Sequence, residues 1–379
     1  MQTIGVLGCG LVGATIARDL AADGRYRVLA ADRDPIRLAA LADAPRLEPA
    51  ELDLGRPNAL AELLGGLDAV VGALPSHLGH TALAAVIAAG KPCCDISFMP
   101  EDARDLSPRA VERGVCAVVD CGVAPGLANL AMGRSQQQLE RITAARILVG
   151  GLPRERRLPW QYKAPFAPAD VLEEYTRPAR LRRGGRDITV AALAEPEPVE
   201  VPGVGTLEAL CTDGLRSLLD TIDAPELVEK TLRYPGHAEL IRALRATGLL
   251  DETPVEIDGR RISPRALTAE LLFRQWRLEP GEPEFTFLQV DVSGERAGAA
   301  EQHRYRLFDQ TDPETHTSSM ARTTGFPAAS VARLLAAGQL TEPGVHPPEH
   351  LASHPGVWEH ILNDLAARNI ELEIEIQRS

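Results

Sequence analysis

The sequence predicts an α/β chain, with an N-terminal doubly wound parallel sheet followed by a second, α+β domain. Over the first 120 residues short apolar runs alternate with helical stretches, the rhythm of parallel strands joined by helices. Beyond about residue 143 polar and apolar residues alternate instead, which suits a sheet with one wet face. A glycine-rich turn behind the first apolar run says where the first sheet would hold a ligand.

Thr3-Ile4-Gly5-Val6-Leu7 is a short buried strand that runs into Gly8-Cys9-Gly10-Leu11-Val12-Gly13, and Ala14 to Ala22 has the composition of a helix. In that context Gly8 permits the tight turn, Gly10 lets backbone approach a pyrophosphate, and Gly13 lets helix and strand pack closely. The N–H groups at the helix start, Leu11 and Val12 among them, would bind the anion. This is the pattern of a Rossmann dinucleotide-binding domain.

A second strand, Tyr26 to Ala31, ends in Asp32, 24 residues after Gly8, where a carboxylate accepts hydrogen bonds from a ribose diol. That favours NAD over NADP. Arg33 beside it is suited to a 2′-phosphate, which Asp32 would repel. The structural alternative for Asp32 is a cap on the helix opening at Asp34-Pro35. Asp53, behind a third strand, either faces the adenine amino group or is a solvated loop carboxylate.

Ala69 to Ala73 is a buried strand ending in Leu74-Pro75-Ser76, His77 to Ala89 a helix closed by Gly90, Lys91 to Asp95 a strand, and Cys116 to Val119 the sixth. Ligands of such sheets sit beyond the carboxyl ends of the strands. Gly8 to Gly13, Leu74 to Ser76, Asp95 to Ser97 and Asp120 to Cys121 should therefore share one rim. Asp95 and Asp120 are candidates to act as base or to pair with an ammonium; for each the alternative is an N-cap of the following helix. Cys121 is expected near the nicotinamide.

In the second domain, Arg146 to Val149, Phe285 to Val292 and His303 to Phe308 alternate as strands do. Loops rich in Pro and Gly are expected at 151–159, 165–168 and 195–205, and helices at 214–220 and 237–247. Ala328 to Ala337 is a further helix, packing back on the first domain. The expected division is 1–122, 123–320 and 321–379.

A chain of 379 residues with 45% hydrophobic content can bury more than one core. The net charge of −13 argues against a nucleic-acid partner. Met1 is followed almost at once by the first strand, and no apolar run approaches the roughly 20 residues that span a bilayer. A cytoplasmic protein without a membrane partner is the expectation. The six cysteines (Cys9, Cys93, Cys94, Cys116, Cys121, Cys211) form neither a disulfide scaffold nor a zinc spacing, and no metal is expected.

Several segments carry a family resemblance. The fingerprint with Ala73-Leu74-Pro75, then Asp120-Cys121-Gly122-Val123-Ala124-Pro125-Gly126-Leu127, Glu174-Tyr175-Thr176, Gly205 to Ala209, Thr231-Leu232-Arg233-Tyr234-Pro235-Gly236-His237 and Ala321 to Pro327 resemble, in order, the saccharopine dehydrogenase-like family. The resemblance spans about residues 3 to 340 and is strongest to the branch that oxidises L-lysine at its ε-carbon.

The resemblance implies an NAD-dependent oxidative deamination of L-lysine to 2-aminoadipate 6-semialdehyde, with release of ammonia, in a homodimer whose partner is a small amino acid. An amine with a pKa of about 10.4 must first lose a proton, so a base is needed, and the α-carboxylate wants a guanidinium. Arg233 is the candidate for that carboxylate, or else a structural ion pair with a residue such as Glu208. His237 is a candidate base or positioner of the hydrolytic water, or else a helix cap. Tyr162, Lys163 and Tyr175 either roof the substrate or serve as packing, and Thr212 belongs with the substrate-binding positions.

Saccharopine-cleaving relatives must hold a second carboxylate, for which an arginine is expected near Cys211-Thr212-Asp213-Gly214. This chain has an acid there, with Arg216 close by. The alternatives are saccharopine dehydrogenase chemistry, a carboxy-polyamine-forming reductase, and an NAD-binding sensor without catalysis.

Overall fold

The apolar run behind Met1 becomes β1 (Gln2–Leu7), buried from Ile4 onward, and the glycine turn feeds α1 (Leu11–Ala22). The computed structural model describes every residue except 57, 58, 167 and 379. The chain divides into two compact units, residues 1–140 with 320–373 and residues 141–319 with 374–379.

The first unit continues with β2 (Tyr26–Asp32), α2 (Pro35–Ala39), β3 (Leu47–Glu51), α3 (Ala59–Leu64), β4 (Ala69–Gly72), α4 (Ser76–Ala88), β5 (Cys93–Asp95), α5 (Ser107–Arg113), β6 (Cys116–Val118) and α6 (Leu127–Gln138). The second holds β7 (Arg141–Pro153), α7 (Pro168–Thr176), β8 (Ala179–Arg183), β9 (Arg186–Val190), β10 (Glu197–Val201), β11 (Gly205–Cys211), α8 (Leu218–Thr221), β12 (Glu226–Arg233), α9 (His237–Ala246), β13 (Val255–Ile257), β14 (Arg260–Ile262), α10 (Pro264–Trp276), β15 (Glu284–Arg296) and β16 (Ala299–Gln310). The chain then adds α11 (Ser319–Ala336), β17 (Gly344–His346), α12 (Pro348–Leu351), α13 (Val357–Ala366) and β18 (Leu372–Arg378).

The first sheet is parallel throughout, in the order β17-β6-β5-β4-β1-β2-β3. Strands buried on both faces have no use for polar alternation, and β4 and β6 are buried at every residue. The strand order reverses beside β1, which lies between β2 and β4, so the switch point falls at the glycine turn. The C-terminal residues join this unit through a buried charge: Arg333 of α11 meets Asp19 of α1 and Asp23, the C-cap of that helix, at 2.7 Å each and Asp364 of α13 at 3.4 Å.

The second unit is a mixed sheet in the order β10-β11-β12-β7-β15-β16-β18, with β8 and β9 joined beside β12. β12 pairs with β7 in parallel, whereas β11 runs antiparallel to β12 and β15 antiparallel to both β7 and β16. Trp276, Phe285, Phe287 and Tyr175 are at most 1% exposed. Each such side chain removed from water contributes roughly 1.5–3 kcal/mol.

Where the structure differs from the sequence reading, proline is the usual reason. Glu197 to Val201 lies in a span expected as loop, yet forms β10, because Pro198 is tolerated on an edge strand. The tail helix starts at Ser319 rather than Ala328, with Pro327 inside it. The loop expected at 151–159 begins with the end of β7, and the helix expected at 214–220 shrinks to α8. Residue 167 of the loop expected at 165–168 lies outside the described residues. The first unit runs to residue 140 because α6 stays with it, 18 residues beyond the boundary expected at 122.

Candidate active site

The glycine turn fits a nucleotide diphosphate. Gly8 holds φ 93°, and a Cβ there would collide with the Ala73 carbonyl; one on Gly13 would collide with the Gly8 carbonyl. A Cβ on Gly10 would meet only Arg37 Nη1 at 3.9 Å, so backbone approach is open at that residue. Gly10 is the N-cap of α1, and no side chain caps the N–H groups that begin at Leu11, Val12 and Gly13.

Asp32 ends β2, nearly buried, with one carboxylate oxygen accepting from Cys9 N–H at 2.6 Å and the other from Asp34 N–H at 2.9 Å. Asp34, not Asp32, caps the next helix, accepting from Ile36 N–H at 2.9 Å. Arg33 points to solvent, whereas Arg37, unnoticed in the sequence, stands 3.7 Å from Asp32. Asp53 is a loop carboxylate: it accepts from Gly55 N–H and pairs with Arg56 at 3.3 Å. Leu74 is buried and Pro75 is the N-cap of α4, which Ser76 opens.

Along the same strand ends, Asp95 closes β5 and is fully enclosed. Its Oδ1 accepts from Ser97 N–H at 2.7 Å, and a Cβ on Gly72 would collide with its Oδ2. Burial pushes its carboxyl up to about 7, against the Ser97 hydrogen bonding and with the added repulsion of Asp120. Asp120 is buried with φ 55°, a left-handed conformation an aspartate tolerates. Neither acid caps a helix: the N-cap of α6 is Gly126, and the Asp95 carboxylate serves a turn. The Cys121 N–H donates to the Asp95 carbonyl at 3.1 Å. All six cysteines are free and buried.

The second unit contains a separate polar core. Arg233, at the end of β12, donates from Nε to the Tyr175 hydroxyl (2.8 Å), from Nη1 to Thr231 Oγ1 (3.0 Å) and the Leu232 carbonyl (2.9 Å), and from Nη2 to Glu174 (2.7 Å). The guanidinium also faces the Tyr162 ring at 4.7 Å. Four internal acceptors hold this buried group, an arrangement that matches the ion pair expected as the alternative to a substrate carboxylate. The partner is Glu174 rather than Glu208, although Glu208 stands opposite Arg233 in the strand register.

His237 belongs to the same network and is not a cap, since Gly236 holds that position. The Trp160 carbonyl can only accept, so Nδ1 carries the proton and donates to it at 2.9 Å. Nε2 then accepts from the Tyr175 hydroxyl at 2.9 Å. Burial, reinforced by the Arg233 charge, drives the imidazole down to about 3. It is a neutral hydrogen-bonding residue across the physiological range.

Thr212 donates to Glu229 at 2.7 Å, and Gly214 N–H donates to the same oxygen at 3.1 Å. Burial pushes the Glu229 carboxyl up to about 8 despite these donors. Asp213 is held by Arg180 at 2.8 Å, and Arg177 feels the charges of Arg216, Asp213 and Arg180. Lys163 donates to the Arg277 carbonyl at 2.8 Å. Glu174, Glu229, Trp160 and Trp276 were not singled out in the sequence. Glu174 lay inside a quoted segment, and only its tertiary partner distinguishes it from a surface acid.

Two family models cover the chain: the saccharopine dehydrogenase NADP binding domain matches residues 4–118 and the saccharopine dehydrogenase C-terminal domain residues 122–370. The saccharopine dehydrogenase (NADP+, L-glutamate-forming) of Saccharomyces cerevisiae is 24% identical over 270 residues, 68% of this chain and 60% of that protein. Its Schizosaccharomyces pombe counterpart is 21% identical over 451 positions, 99% of both chains. The chain thus spans 60% of the first of these relatives and nearly all of the second. The solved apo saccharopine dehydrogenase (L-Glu forming) from Saccharomyces cerevisiae has the same fold, with a TM-score of 0.81 at 22% identity over the whole of both chains.

Proposed function

The chain belongs to the saccharopine dehydrogenase family, as an oxidoreductase acting on an amine-bearing carbon, and we propose that its reaction is that of an L-lysine 6-dehydrogenase using NAD. L-Lysine, NAD+ and water give 2-aminoadipate 6-semialdehyde, ammonium, NADH and a proton; the aldehyde then condenses with its own α-amine, losing water, to a piperideine carboxylate. When bound, the nicotinamide supplies the two-electron acceptor. Gly8 to Gly13 and Asp32 would hold it.

Asp32 carries the reading. The curated relatives are named for NADP, whereas here β2 ends in a buried carboxylate already fixed by two backbone N–H groups. A fixed anion favours a ribose diol and repels a 2′-phosphate. Asp95, buried with its carboxyl poised near neutrality, is the residue we assign as base: it takes the proton the ε-ammonium must lose. Burial is the main reason that carboxyl is basic, and the negative charge of Asp120 adds to it.

A second reading, oxidation of saccharopine, is favoured by Arg177, Arg180 and Arg216 around Asp213. They stand in the region where a second substrate carboxylate was expected, Arg180 paired with Asp213 and Arg177 with Glu173. Purified protein separates the two by the absorbance of reduced nicotinamide. Lysine alone with NAD is expected to generate it. Silence with lysine but turnover of saccharopine would install the second reading, and NAD binding without turnover of any amine would leave a sensor.

A further inference from the structure

We propose that Glu342, His346 and His350, with His354 as the fourth donor, form a binding site for a divalent transition-metal ion of the zinc class, which fastens the C-terminal edge strand of the first unit. The residues recur every fourth position through Glu342-Pro343-Gly344-Val345-His346-Pro347-Pro348-Glu349-His350-Leu351-Ala352-Ser353-His354-Pro355. A spacing of four stacks side chains along one face of a helix, but only Pro348–Leu351 is helical here. What brings the donors together is a strand that ends at His346 and passes straight into α12.

One ligand atom from each of Glu342, His346 and His350 lies within 4.8 Å of the other two. His350 Nε2 is 3.0 Å and His354 Nε2 3.4 Å from the same carboxylate oxygen, Glu342 Oε2. Donors around tetrahedral zinc, each roughly 2.0–2.2 Å from the metal, stand about 3.3–3.6 Å from one another. The spread of the donors is therefore near that of a coordination shell, and small side-chain rotations suffice to complete it.

The surroundings favour this use over a chance surface cluster. Proline follows Glu342, His346 and His354, fixing φ just behind three of the four donors. The His346 and His350 rings stack with centroids 4.7 Å apart. A Cβ on Gly344 would stand 3.1 Å from His346 Cε1 and Nε2, so glycine gives the ring its place. Without metal, His346 Nε2–H donates to the Glu342 carbonyl at 2.9 Å and the Glu342 carboxylate accepts from His350. Coordination exchanges these two hydrogen bonds for metal bonds.

Three imidazoles and one carboxylate select zinc, cobalt, nickel or copper over calcium and magnesium, which prefer oxygen alone. β17 is the edge strand beside β6, and α12 packs on α6 through Glu349, which accepts from Asn129 Nδ2 at 3.1 Å. A bound ion would tie that edge strand to α12 and so stabilise the folded unit.

The test uses full-length protein free of any histidine tag, titrated with Co2+ and then with Zn2+. One Co2+ per chain with tetrahedral visible bands, displaced by Zn2+, is expected, as is a rise in melting temperature with Zn2+. H346Q and H350Q should each weaken binding by roughly 10–100-fold or more, and E342Q, on the exposed loop, serves should either fail to fold. Absence of stoichiometric Co2+ binding, or binding unchanged in the folded variants, overturns the site.

Discussion

Arg233 Nη2 and Glu174 Oε2 meet at 2.7 Å with the guanidinium sealed from solvent, so the second unit holds a buried charge whose only carboxylate hydrogen-bond partner among the described residues is one glutamate. Glu174→Gln keeps the shape and removes the compensating charge. Leaving a buried ion alone costs roughly 3–5 kcal/mol. The denaturation midpoint of Glu174→Gln should fall accordingly, and the double variant Glu174→Leu/Arg233→Met should lose less than the single variants Glu174→Leu and Arg233→Met lose when added together. Strict additivity in that cycle would show that the two residues do not act as a pair.

Glu229 predicts an alkaline loss of stability. Burial raises its folded carboxyl from the ordinary 4.5 to about 8, so between those values the folded state holds a proton that the unfolded state has lost. Its contribution is full below pH 4.5 and disappears as pH rises through 8. Glu229→Gln still accepts from Thr212 and Gly214 but cannot ionise. Wild type should lose on the order of a few kcal/mol between pH 5 and 9 relative to this variant. Parallel stability curves for the two proteins would refute the assignment.

The first unit was legible in the sequence because a parallel sheet writes itself locally, as apolar runs, glycine turns and acids at strand ends. Asp32 and Asp95 stand where that pattern puts them. The polar core of the second unit was not, because its partners are far apart in the chain: Glu174 and Arg233 are 59 residues apart, Tyr175 and His237 62. Arg233 was visible as a residue needing an anion. Which anion depended on α7 reaching β12, and no local pattern records that. His237 shows the same limit, since its neutral state follows from the enclosure around it and from the nearby Arg233.

Asp32 gives a cofactor prediction. Its carboxylate is fixed by Cys9 and Asp34 N–H groups, and Arg37 lies 3.7 Å away. Asp32→Ala removes the anion that would repel a 2′-phosphate and leaves Arg37 to attract one. The Michaelis constant for NAD should rise, and the preference for NAD over NADP should narrow by roughly tenfold or more, about 1.4 kcal/mol or above. Measured kcat/KM ratios for the two cofactors check it, and an unchanged ratio removes Asp32 from the ribose site.

Asp95 gives a kinetic prediction with a definite sign. A base works only when deprotonated, so with its carboxyl at about 7 the rate should climb through pH 7 and level off above it. Asp95→Asn keeps an oxygen to accept from Ser97 N–H and cannot take up a proton. Turnover should fall by about 10²–10⁴-fold and the limb near pH 7 should vanish, while NAD affinity is retained. Asp120→Asn is the companion variant. It removes a negative charge that raises Asp95, so the limb should move to lower pH with turnover largely kept above it. If Asp95→Asn keeps the wild-type limb, another group supplies the proton acceptor; if Asp120→Asn instead abolishes turnover, the two acids exchange roles.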